Sequence, residues 1–457
     1  MGLGRFVTGE QRPSTSWAHA WCAGLLLWGL AGLGLGSLGM WNETSAASLA
    51  LLGLLGWARG PSLKTTCMPL VPVLALLFLP GFIDAVGPII NTDEQYLHLG
   101  LPTQMFRHGD LLGGALHPNG SRPLTLQMAY GVALSMGTPT SAPIMHWAMA
   151  VGLLLLMIQC ASEHLHSFRA GILSVLVLAG STTLQTTSGV AGSDLPAAFA
   201  VLVAMDAALR GNKRMLAIAA GLALSIKYTA AAPLVGIFLL APISWKNRIF
   251  YGTCALFLVA PWWLRNVHDG LHPLFPFAGW PAPVLPFQYL EKYGAGRTWF
   301  DFLALPWRAI FDTETHNFRF LGQLHPFILF MLFPAPLALY SRRLRPWLAA
   351  SLLGFAGWAA GPHWLRYLIP TLPLCALAGA TIVSRVFSGP RGTPLLIIAF
   401  LATTAIGMQG TPKHIDTTWT ALHKKPVRAG TEAHQFCNDN LPGDAVVALL
   451  FEWTSTE

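Results

Sequence analysis

The feature that most constrains this chain is a succession of about thirteen apolar runs, from residues 17–40 to 393–409, separated by short polar breaks. Backbone in hydrocarbon has no water to bond, so each N–H and C=O must be satisfied within the fold, and runs of this kind are read as helices. Several are shorter than the ~20 residues a full crossing needs. Hydrophobic residues make up 53% of the 457 and charged residues only 11%, far from soluble norms. The expected fold class is an all-α polytopic membrane protein, a helical bundle of about 11–13 spans. Residues 1–409 form the membrane domain, with two outer loops long enough to fold, 91–140 and 265–323. Residues 410–457 form a short polar tail. Its Asn440-Leu441-Pro442-Gly443-Asp444 and the apolar run that follows read as a turn and a buried strand of an α/β piece that is either minimal or incomplete. Cys22, Cys67, Cys160, Cys254, Cys375 and Cys437 are scattered and suggest neither a disulfide framework nor a metal knuckle.

The net charge of +8 is distributed as topology rather than as a nucleic-acid surface. Basic clusters fall in alternate loops: Arg5 and Arg12, Arg59 and Lys64, Arg169, Arg210 to Arg214, Lys246 and Arg248, Arg342 to Arg345, Arg385 and Arg391. The positive-inside rule makes these loops and the N-terminus cytoplasmic. Asp93, Glu94, Asp110, Asp269, Glu291, Asp301, Asp312 and Glu314 fall on the other side, which is read as the outer face. The first span is longer than a signal-peptide core and is followed at once by others, so it is expected to be an uncleaved anchor.

Asp93 and Glu94 stand together where an apolar run gives way to a polar stretch. Charged groups are costly at membrane depth, about 2.5 to 3.5 kcal/mol each on the lenient scale, so a pair at the edge suggests a site. The segment 91–111 reads as a helix lying on the membrane surface, with Glu94 and His98 four apart and a stripe of Leu97, Leu101, Met105 and Leu112. These carboxylates could deprotonate a hydroxyl or amine, bind a divalent cation with His98, or simply face water. Lys227, Arg265 and Arg366 fall at outer span ends, where cations either hold a phosphate or snorkel to the interface. Asp194, beside Gly192 and Ser193, reads as an N-cap.

The order of these features resembles the GT-C superfamily of membrane glycosyltransferases. It is most similar to the branch of lipid A aminoarabinose transferases, protein O-mannosyltransferases and RgtA/B/C/D-like transferases. Asp93, His98, Leu99 and Pro102 match its first outer-loop motif, with Tyr96 one place from the tyrosine expected beside the histidine. His108-Gly109-Asp110-Leu111 and Arg122-Pro123-Leu124-Thr125-Leu126-Gln127 follow, then Ser193-Asp194-Leu195-Pro196. Gly221-Leu222-Ala223 with Lys227-Tyr228-Thr229-Ala230 matches a later motif, as do Pro261-Trp262-Trp263-Leu264-Arg265-Asn266 and Pro273-Leu274-Phe275-Pro276-Phe277. Arg366-Tyr367-Leu368-Ile369-Pro370 completes the order, which covers about residues 80–385.

The resemblance implies an inverting transferase that takes a sugar from a polyprenyl-phosphate carrier and joins it to a glycolipid, polysaccharide or protein acceptor on the outer face. It implies Asp93 as base with Glu94 beside it, and Lys227, Arg265 and Arg366 as the phosphate-binding cations. His98, Asp194, Tyr96 and Asn266 are further site candidates, and a metal on Asp93, Glu94 and His98 stays open. Membrane lipids are the surroundings, nucleic acid is not a partner, and the branch implies a bacterial inner membrane with the site and C-terminus periplasmic. The rival reading is a secondary transporter or lipid-linked sugar flippase, for which the short runs 215–226 and 228–243 around Lys227 would be a broken helix.

Overall fold

The computed structural model describes residues 16–59, 68–87, 89, 91, 93–109, 111, 118–275, 296–311, 320, 322–332 and 341–407. The tail 410–457, with its expected turn and apolar run, lies outside the described residues, as do Asp110, Leu112, His117, Glu291, Asp312 and Glu314. Among the described residues there is no β-strand.

The chain opens with α1 (Ser16–Ser37) and α2 (Glu43–Arg59). The run 68–88 is split at Phe78 into α3 (Val71–Leu77) and α4 (Leu79–Val86) by Pro80, which has no N–H with which to continue the ladder. Next come α5 (Gly100–His108), α6 (Thr125–Leu134), α7 (Ser141–His164), α8 (Phe168–Ala179) and α9 (Thr182–Ser188). Then follow α10 (Asp194–Leu209), α11 (Lys213–Ile226), α12 (Ala231–Leu240) and α13 (Trp245–His268). The described remainder holds α14 (Trp299–Phe311), α15 (Ile328–Leu332), α16 (Arg345–Ala360), α17 (Leu372–Val386) and α18 (Gly392–Gly407).

Among the described residues α1 and α7 are each long and apolar enough to cross a membrane, and α8 with α9 make a third apolar unit bent by 77°. Glu43–Leu55, Tyr228–Leu240, Leu372–Val386 and Gly392–Thr404 are shorter apolar helices. The apolar run 367–384 does not start as helix at 367: Leu365–Leu368 is a 3₁₀ turn, and α17 begins only beyond Pro370.

The centre of the bundle is α10, whose residues from Asp194 to Ala208 are all buried. A helix apolar on every side can be stable only when it is surrounded. Here α1, α7, α11, α12 and α17 surround it. The region read as the outer loop 91–140 contributes its own core element: α6 is buried almost throughout and packs on α1, α2, α5 and α7. Leu101 and Met105 of α5 are likewise fully buried, in a cluster with Trp41, Leu124, Met128 and Trp262. The described part of the apolar stripe, Leu97, Leu101 and Met105, therefore meets protein rather than lipid headgroups.

Close helix approach depends on Gly236, where an added Cβ would overlap the backbone of Ala350 in α16. Overpacking of this kind costs about 1–3 kcal/mol, so Gly236→Ala should lower the thermal midpoint in detergent. Gly252→Ala, whose Cβ would have only Phe238 at 3.9 Å, should leave the midpoint unchanged.

Candidate functional site

Asp93 begins a single π-turn, Glu94–His98, closed by the Leu99 N–H donating to the Glu94 carbonyl at 2.9 Å. The wider turn directs Glu94 and His98 inward, leaving them 4% and 5% exposed, while Asp93 stays at the rim and Tyr96 is half-buried. The Asn91 side chain accepts from the Glu94 N–H at 3.2 Å and steadies the entry.

Asp93 accepts a hydrogen bond from Arg366 Nη1 at 2.5 Å, across 273 residues of chain. Burial opposes the charge on Asp93, but the Arg366 guanidinium, helped by Lys227, holds its carboxyl below the usual range. Arg366 lies over the Trp364 and Tyr367 rings, 4.9 and 5.3 Å from their centroids. Lys227 occupies the extended break between α11 and the 3₁₀ turn Tyr228–Ala230. It is ion-paired to Asp194 and lies 4.1 Å over the same Tyr367 ring. Burial pushes Lys227 down to about 8, with Asp194 opposing the shift. Asp194 is thus an ion-pair partner in the first turn of α10 rather than the expected N-cap; Ser193 occupies the cap position.

Arg265, at the end of α13, donates from Nη2 to the carbonyls of Gly120 at 2.7 Å and Arg122 at 3.2 Å. Asn266 donates to the Ser121 carbonyl at 2.7 Å and the Pro273 carbonyl at 3.0 Å, and is 1% exposed. This pair fastens the 118–124 segment to α13, which makes Asn266 a clamp. The segment brings in Arg122, whose guanidinium lies in the field of Tyr367, Asp93 and Arg366. Burial lowers the Arg122 pKa against those carboxylate and phenol contributions. Arg265 Nε and Nη1 and Arg366 Nε are buried without a hydrogen-bond partner. Buried donors are rarely left unmade, so these unused guanidinium groups mark a place for acceptor oxygens.

Behind the rim, Gln127 Nε2 donates to His98 Nδ1 at 3.1 Å, which leaves the imidazole proton on Nε2. Burial pushes His98 down to about 3, so it is neutral. Glu94 Oε1 accepts from the Ala191 N–H at 2.7 Å. Asp93, Glu94 and His98 therefore face three different partners. Among the described residues their ligand atoms do not gather into a metal-sized cluster. The reason is the π-turn, which holds Asp93 at the rim and points the other two inward. His108 is exposed on α5.

Burial, then the neighbouring Asp84, raises Glu94 to about 7 against the Ala191 hydrogen bond. A carboxyl whose folded pKa lies above its unfolded value gives stability that is present at low pH and lost as pH rises through the folded value. Stability in detergent should therefore decline between about pH 4.5 and 7, and Glu94→Gln should flatten that part of the profile. Thermal midpoints of both proteins across pH 4.5 to 8 check this; parallel curves would remove Glu94 as the cause.

Sequence reasoning chose Asp93, Arg366, Lys227 and Asp194, which come together, and Arg265, which joins them through the 118–124 segment. It missed Arg122, Tyr367 and Gln127 as site residues, although each stands inside a motif already recognised.

Fold and site together define a bundle with helices long and apolar enough to cross a membrane, and a charged cluster where several interhelical segments meet. No family model matches the chain, and no curated protein matches it. Among solved structures it is similar to ArnT from Cupriavidus metallidurans, crystallised with undecaprenyl phosphate, at a TM-score of 0.51 and 17% identity. The likeness covers 76% of this chain and 65% of that one, and it establishes the fold.

Proposed function

We propose that the protein transfers a sugar, with inversion, from a polyprenyl-phosphate donor to an acceptor hydroxyl or amine on the outer face of a bacterial inner membrane. The observation that carries this reading is the cluster of Arg122, Lys227 and Arg366 around Tyr367, beside a rim carboxylate and joined to Arg265 through the 118–124 segment, with donors of Arg265 and Arg366 left unused. ArnT, with the same fold, binds undecaprenyl phosphate, a ligand of the charge and shape these cations suit.

In the proposed step, the acceptor oxygen or nitrogen forms a bond to the anomeric carbon while the bond from that carbon to the phosphate oxygen breaks. The electron pair leaves with the polyprenyl phosphate and the acceptor proton passes to Asp93. Arginine and lysine offset the developing phosphate charge in a site shielded from bulk water, where such pairing is strongest. Arg366 links the two halves of the reaction. When its guanidinium turns from Asp93 to the donor phosphate, Asp93 loses the charge that depresses its pKa and becomes a stronger base. Glycolipid, polysaccharide and protein acceptors all present a suitable nucleophile.

The test is transfer of label from a defined polyprenyl-phosphate sugar to membrane acceptors by the purified protein, with the anomeric configuration of the product determined. Arg265→Ala should raise the donor KM about tenfold or more, since a charge-assisted bond is worth about 1.5–3 kcal/mol. Unchanged donor KM would take Arg265 out of the phosphate site. The rival transporter or flippase draws on the break at Lys227 between α11 and α12. It would move a lipid-linked sugar between leaflets of a proteoliposome without forming a new glycosidic bond. That outcome, with no labelled product, would replace the transferase reading.

A further inference from the structure

A second buried polar cluster sits at the far end of the central helix. Asp206 and Asp194 are both on α10, twelve positions apart, which at the helical rise is ~18 Å. Asp206 is 0% exposed. Its Oδ1 accepts from His164 Nε2 at 2.7 Å and its Oδ2 from His19 Nε2 at 2.8 Å. Cys160, one turn before His164 on α7, places Sγ 4.0 Å from Asp206 Oδ1. Donor atoms of Cys160, His164 and Asp206 all lie within 4.8 Å of one another. His19 comes from α1, so three helices of the core converge here.

We propose that Cys160, His164, Asp206 and His19 form a structural site for a borderline-soft divalent cation of the zinc type. One thiolate, two imidazoles and one carboxylate are the donors a closed tetrahedral site of this kind uses. Metal binding needs the present hydrogen bonds to open to metal–ligand spacing and His19, which now contacts Asp206 Oδ2, to close on the Cys160, His164 and Asp206 donors. Each histidine already turns Nε2 inward and only has to carry its proton on Nδ1, and the Cys160 proton leaves to solvent. Charge closes as well. The cation balances the Cys160 thiolate and the Asp206 carboxylate, while Arg210, which now touches both Asp206 and Glu163, keeps Glu163 as its partner. The proposed transfer uses none of these residues. In the topology read from charge they lie at the cytoplasmic end, where a metal would staple α1, α7 and α10 opposite the site.

The full-length protein, expressed with zinc, purified in detergent and washed with a mild chelator, should retain about one zinc per chain by elemental analysis. After metal removal, titration with Co²⁺ should give a thiolate-to-cobalt charge-transfer band. Cys160→Ser and His164→Ala should each lower retained zinc at least ~tenfold, while Asp93→Asn retains it. A monodisperse wild-type protein with neither zinc nor the cobalt band overturns the proposal and leaves a hydrogen-bonded lock among three helices. Zinc undiminished in both folded variants overturns it equally. If the variants fail to fold, the wild-type metal content and cobalt spectrum decide the matter alone.

Discussion

Asp93→Asn is expected to lower sugar transfer by roughly 10³-fold in kcat, within the usual range for loss of a general base. The amide matches the carboxylate in shape but cannot take the acceptor proton. Donor affinity should hold or rise, because the substitution frees Arg366 from the ion pair it makes with Asp93 across the rim. Loss of kcat with intact donor binding separates a base from a residue that merely holds the site together. Glu94→Gln should cost less, since Glu94 is turned inward to the Ala191 N–H and contributes through the shape of the π-turn. The measurement is labelled transfer at saturating donor, paired with equilibrium binding of the donor to each variant. Full activity in Asp93→Asn would remove the base from this loop.

The second large effect concerns folding. Lys227→Met removes the cation from Asp194, which is only 7% exposed, and strands a carboxylate at the head of the central helix. Breaking one side of a buried pair costs about 3–5 kcal/mol, so the thermal midpoint in detergent should fall sharply. Lys227→Met combined with Asp194→Asn should recover much of that loss, since a neutral amide at the same place no longer needs a counter-charge. Donor binding should stay weak in the double variant, because the ammonium is still missing from the proposed phosphate site. Recovery of stability together with donor affinity would make Lys227 a structural partner only. No recovery of stability would mean that the pair is not what Lys227 contributes.

Much of the site was legible because its residues carry chemistry a membrane rarely tolerates. Asp93 beside an apolar run, Lys227 between two short ones, and Arg366 before a proline-rich helix start all stand out against their surroundings. Less legible was what each residue does. Glu94 and His98 have helical spacing that suits a shared metal, yet a single π-turn separates their partners from that of Asp93, and no periodicity argument contains such a turn. Asp194 has the context of a cap, but its partner lies 33 residues away in a break between helices. The loop 91–140 reads as polar because of its first half, while its second half, α6, is as buried as any helix in the bundle.

The sequence by itself determined the membrane class, the outer position expected for the acidic loop and the candidacy of Lys227, Arg265 and Arg366. Hydrophobicity and charge act locally and add along the chain. Only the tertiary structure decided the pairings: Asp93 with Arg366, Asp194 with Lys227, Arg122 drawn in through Asn266, and His19, Cys160, His164 and Asp206 gathered at the other end. These contacts join residues tens to hundreds of positions apart. A buried charge settles on whichever partner the packing brings within reach, and that is a property of the packed helices together.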